Sequence, residues 1–111
     1  MKTERNFLPG DRYAYDFKHC TTAKGFAQVD TSQDASYFGT WANPFTLQIV
    51  SYCEGDVTIQ TADNEAEFLQ EILNIRIWNE ENGHKFLGID PGFNEELANK
   101  FRSLGLKDLL H

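Results

Sequence analysis

The chain has 111 residues, enough for one domain around one core, and 41% hydrophobic with 14% aromatic content argues against disorder. No apolar run approaches the roughly 20 residues that a membrane helix needs, and no apolar segment follows the charged N-terminus, which together predict a cytoplasmic protein that contacts no membrane. The net charge of −7 is carried by residues 54–81, where eight carboxylates stand against Arg76 alone, so the clustered Lys and Arg that phosphate contacts require are missing and direct nucleic-acid binding is not expected.

A single domain over 1–111 is expected, with 1–10 as a loosely ordered lead-in. After the Pro9-Gly10 turn signal, residues 12–17 alternate with period two and place Tyr13, Tyr15 and Phe17 on one face of a first strand. Residues 20–25 read as a turn and 26–29 as a second short strand. A compact polar run from Asp30 to Asp34 then leads into a third strand over 37–41. Gly39, inside that strand, signals a bulge or a close backbone approach. Asn43-Pro44 breaks the chain before a fourth strand over 45–53, with Phe45, Leu47 and Ile49 on one face. Glu54-Gly55 is a hairpin link, and 57–61 is the return strand.

The second half of the chain changes period. Asn64 and Glu67 have capping-box spacing, and a helix over 65–79 follows with Phe68, Leu69, Ile72 and Ile75 as its apolar stripe. Asn82-Gly83 ends it, and 84–89 is a short extended piece. A second helix starts at Asn94, shows Leu97, Phe101 and Leu104 at helical spacing, and stops at Gly105 before a last amphipathic turn. Strands followed by helices indicate an α+β fold. The expected form is an antiparallel sheet of about five strands in a meander, followed by two or three helices packed on one face.

A meander has consequences for the polar residues. It sends Cys20 and Cys53 to opposite ends of the sheet, too far apart for a disulfide, whose Cα atoms lie within about 7 Å. It also gathers the Asp30–Asp34 link and the Glu54-Gly55-Asp56 turn at one end. Asp30, Asp34, Glu54 and Asp56 would then rim a shallow anionic groove with Tyr37 or Trp41 as an apolar wall, a candidate small-ligand or cation site. The ordinary explanation of such a run is turn chemistry, in which Asp, Ser and Thr side chains satisfy nearby backbone donors.

Signals for catalysis are weak. His19 and Cys20 are adjacent, and neighbours on a strand point to opposite faces. His19, His84 and His111 lack zinc-ligand spacing, no serine sits in a nucleophile elbow, and no glycine pattern resembles a phosphate loop. No catalytic residue, metal site or cofactor is expected. On the first helix, Leu73 and Ile77 fall to one side of the main stripe and Trp78 to the other. These three are candidate interface residues, to be covered by the C-terminal helices or by a subunit, most simply in an isologous homodimer. The function expected from these features is a non-enzymatic binding or regulatory module that works through protein contacts, with Glu67 and Glu71 favouring a basic partner. The competing expectation is an enzyme or small-molecule or cation binder at the acidic rim, and a lesser one is an acidic nucleic-acid mimic that inhibits a DNA-binding protein.

Overall fold

Alternating residues in the first half of the chain build strands, and the computed structural model, which describes residues 2–6, 22–30, 38–53 and 56–111, shows how they pair. The strands are β1 (Lys2–Asn6), β2 (Ala27–Val29), β3 (Phe38–Asn43), β4 (Gln48–Cys53), β5 (Asp56–Thr61) and β6 (Ile89–Asp90). They form one sheet in the order β1-β5-β4-β3-β2-β6, and every pairing among the described strands is antiparallel. From β2 to β5 the strands pair in chain order, as neighbours joined by short links do. The first strand expected over 12–17 lies outside the described residues.

Three elements differ from the sequence expectation. Lys2–Asn6, expected to be loosely ordered, forms an edge strand on β5, from Lys2 opposite Thr61 to Asn6 opposite Val57. Its charged sequence carries no apolar alternation, which is how natural edge strands resist further pairing. β4 begins at Gln48 rather than at Phe45. The Asn43 side chain accepts hydrogen bonds from the backbone N–H groups of Phe45 (2.9 Å) and Thr46 (3.1 Å), and Leu47 takes a left-handed φ of 60°, so 43–47 turns instead of extending. The extended piece expected over 84–89 narrows to the two residues of β6. Ile89 pairs with Val29 on one side, and the chain end closes the other: Leu110 bridges to Ile89, and the His111 N–H donates to its carbonyl at 2.7 Å.

The described residues hold two α-helices, α1 (Glu65–Glu81) and α2 (Glu95–Ser103), and the segment after Gly105 adds only one 3-10 turn, Lys107–Leu109. Both helices start on an asparagine. Asn64 accepts from the Glu67 N–H at 2.9 Å and Asn94 from the Leu97 N–H at 3.0 Å. Both also end on a glycine with positive φ, Gly83 and Gly105. In each case a 6→1 and a 5→2 hydrogen bond close the last turn: His84 to Asn79 and Gly83 to Glu80, then Leu106 to Phe101 and Gly105 to Arg102. Among the described residues no helix is long and apolar enough to cross a membrane.

The main core joins Ala27, Val29, Ala42 and Ile49 of the sheet to Phe68 and Ile72 of α1 and to Leu97 and Phe101 of α2. The register puts those four sheet residues on one face, because Ala27 pairs with Ala42 and Ala42 with Ile49. A second buried cluster, Trp41, Val50, Tyr52 and Val57, occupies the alternate positions and hence the opposite face. The sheet is therefore apolar on both sides along β3 and β4. Gly39 is needed for this: a Cβ there would overlap the Trp41 indole, which lies across the glycine two residues before it on the same face. The close approach anticipated at Gly39 is that contact.

Candidate functional site

The face of β3 and β4 that carries Ala42 and Ile49 changes character along its length. At one end Ala42 and Ile49 meet the core. Two residues further, Thr40 and Ser51 form the next cross-strand pair on that face, followed by Cys53 opposite Phe38. Small polar side chains replace branched apolar ones, and the C-terminal half of α1 passes beside them without filling the space. The result is an open cleft of about 510 Å³ lined by Thr40, Ser51, Tyr52 and Cys53 from the strands and by Asn74, Ile75, Trp78 and Asn79 from α1.

Each helical residue reaches the cleft by its period. Ile75 and Asn79 continue the stripe that begins with Phe68 and Ile72, while Asn74 and Trp78 stand on the flank beside it. Asn79 is a polar residue in a core stripe, 2% exposed, and its side-chain amide donates to the Ile75 carbonyl at 2.9 Å, which satisfies that donor inside the helix. Trp78 is 57% exposed, and its indole stacks against His84, with centroids 6.4 Å apart and planes 17° from parallel. The Gly83 turn brings His84 back to this position. Other large apolar side chains on the surface, Phe45 and Phe93, sit singly on the turns at 43–47 and 91–94.

The lining is neutral. It offers two hydroxyls, two carboxamides and the free, exposed Cys53 thiol, set beside the apolar surfaces of Ile75 and Trp78, while Tyr52, whose ring belongs to the opposite face, lines it from its strand position. Among the described residues that line it there is no Lys, Arg, Asp, Glu or His. A volume in the ordinary ligand range of roughly 300–1,000 Å³, apolar walls and a few convergent polar groups are what a binding cleft requires.

The acidic rim expected from the sequence is not assembled by the described residues. Asp30 is fully buried at the end of β2, in the left-handed conformation (φ 57°), with its N–H donating to the Gly88 carbonyl at 2.7 Å. A carboxyl in that position cannot line a solvent-open groove. Trp41 is likewise no wall of such a site, because its ring belongs to the second core cluster. Asp56 opens β5 opposite Cys53, at the same sheet end as Asp30. Asp34, Tyr37 and Glu54 lie outside the described residues, as do His19 and Cys20. Among the described residues, no three His, Cys, Asp or Glu side chains converge as metal ligands would.

The three candidate interface residues have different environments. Leu73 is half-buried and packs against the main core, beside the flank where Glu65 of α1 meets Lys100 of α2 at 4.0 Å. Ile77 is 48% exposed on the outer surface of α1. Trp78 lies on the opposite flank, at the cleft. Sequence reasoning placed these residues on two sides of the main stripe and did not single out the cleft-lining Thr40, Ser51, Asn74 and Asn79. The available signal was Asn79, a carboxamide four residues after Ile75 in an otherwise apolar stripe. No protein-family model matches this chain, and no curated protein or solved structure matches it either.

Proposed function

We propose that this protein is a non-enzymatic binding module that acts through protein contacts, with the cleft between α1 and the β3–β4 pair as its recognition surface. In this proposal the meander and its two helices, both on the face that carries Ala42 and Ile49, are a rigid scaffold that holds Trp78 at the cleft edge. The observation that carries it is the combination of a solvent-exposed tryptophan with an open, neutral, mostly apolar cleft. Tryptophan is the residue type most enriched among binding hot spots, and an exposed one beside a cleft gives a partner a large apolar area at little conformational cost.

The test is site-specific photocrosslinking in the protein's own cell extract, with a photoreactive side chain in place of Trp78 or, as a control, in place of the exposed Gln70 on another side of α1. The expected result is a discrete protein adduct from position 78 that position 70 does not give. Unlabelled wild-type chain should compete it away, and Trp78→Ala chain should not. The same adducts from both positions, or competition by Trp78→Ala as strong as by wild type, would rule out this surface.

A further inference from the structure

The electrostatics of α1 specify the partner more closely, on the assumption that the cleft is a protein-docking surface as proposed above. Glu67, Glu71, Asn74, Trp78 and Glu81 follow one another at i, i+4, i+7, i+11 and i+14, which is one flank of a helix. Asn74 and Trp78 line the cleft, so Glu71 and Glu81 flank it along the helix. Described ion pairs of α1 join Arg76 to Glu80 at 3.1 Å and Lys100 to Glu65 at 4.0 Å, and the Glu67 carboxylate is engaged at the helix start, where it accepts from the Asp63 N–H at 3.3 Å. Glu71 meets the Asn74 carboxamide at 3.4 Å, and neither Glu71 nor Glu81 faces a cation among the described residues.

The cleft and its frame therefore make opposite demands. A charged group pushed among Ile75, Trp78 and the carboxamides would lose its hydration without a counter-charge from the lining, so the inserted group is neutral and largely apolar. The volume of about 510 Å³ takes one or two bulky side chains. It is too small for a whole helix of about 10–12 Å diameter. The rim, in contrast, favours cations on either side of the inserted group. A second copy of this chain fits poorly, because an isologous contact would set the same carboxylates against each other. We infer that the partner is a basic segment of another protein that inserts one bulky apolar or aromatic side chain beside Trp78 and places its Lys or Arg residues along Glu71 and Glu81.

The test is an amide chemical-shift titration of the full chain with three synthetic peptides: Lys and Arg around one central Trp, the same peptide with Ala for Trp, and a Trp peptide flanked by Asp and Glu. The basic Trp peptide should shift the amides of Thr40, Ser51, Cys53, Asn74 and Trp78 at up to millimolar concentration. Loss of the peptide's Trp, or Trp78→Ala in the protein, should weaken binding about tenfold or more, as loss of an aromatic anchor does. The double change Glu71→Gln with Glu81→Gln should weaken the basic peptide several-fold and flatten its dependence on salt, which screens exposed charges.

Equal binding of basic and acidic Trp peptides would overturn the charge assignment and leave the docking surface standing. Equal binding of the Ala-centred peptide would overturn the anchor. If no peptide moved these amides while a neutral compound such as indole did, the protein-docking function itself would fall. Concentration-dependent shifts of the same amides without any peptide would mean that a second copy occupies the cleft, which also overturns the basic partner.

Discussion

α1 and α2 begin and end alike but differ in what lies between. Each has an asparagine N-cap and a glycine turn that returns two hydrogen bonds to the last carbonyls. In α2 the apolar residues Leu97, Ala98 and Phe101 are all buried, and the charged residues Glu95, Glu96 and Arg102 are exposed. In α1 that sorting holds for Phe68 and Ile72, then fails in the C-terminal half: Ile77 and Trp78 are exposed while Asn79 is buried. A sequence that follows the folding rules in one helix and breaks them in one half of the other marks that half for a purpose other than packing. The break coincides with the cleft.

If that contrast is right, substitutions in the two helices should have very different effects on stability. The largest is expected at Phe101, which is fully buried in the main core. Phe101→Ala should cost about 3–5 kcal/mol, read as a lower urea midpoint, by loss of buried area and creation of a cavity. Gly39→Ala comes next, because the new Cβ would overlap the Trp41 indole and force it from the second core cluster. Overpacking of this kind costs about 1–3 kcal/mol, and the Trp41 fluorescence should shift as the ring moves.

Smaller effects refine the comparison between the helix ends. Asn64 caps α1 alone, whereas Asn94 caps α2 and also donates to the Thr22 carbonyl at 2.6 Å. Asn64→Ala should cost about 1 kcal/mol, and Asn94→Ala about 1 kcal/mol more, since it also deprives a part-buried carbonyl of its donor. Equal midpoints for the two variants would show that the bond to Thr22 contributes nothing. The smallest effect is expected at Ile77, where Ile77→Ala should change stability by no more than about 0.5 kcal/mol, as at an ordinary surface position.

The parts of this fold that were readable from the sequence are those set by local chemistry. Asn64, Gly83, Asn94 and Gly105 act on backbone groups within a few residues, and the antiparallel α+β arrangement follows from the change of period at Asn64. Where the expectation failed, a side-chain capture or a long-range pairing decided. Residues 45–47 alternate like a strand, but the Asn43 side chain captures the backbone donors of Phe45 and Thr46. Lys2–Asn6 has no apolar face to read and is a strand because β5 offers it a ladder. Trp41 could be assigned to a face but not to a core, since a two-residue period does not say whether the second face of a sheet is covered.

The cleft was unreadable for the same reason. Thr40 and Ser51 become neighbours only through the β3–β4 register, and nothing near either residue predicts that the helix above will leave space there. The acidic rim was a register argument too. It failed at Asp30, where the left-handed turn buries a side chain that the loop composition suggested would be exposed.

The central claim is that the cleft flank of α1 serves recognition and that the fold does not need it. The measurement that tests it most directly is the urea unfolding free energy of Trp78→Ala beside that of the wild-type chain. The fold as described predicts a loss of no more than about 0.5 kcal/mol, since the indole is 57% exposed and stacks on His84, itself exposed, at the surface. A loss of about 3 kcal/mol or more, the scale of a buried aromatic, would show that Trp78 is part of the core and would contradict the claim.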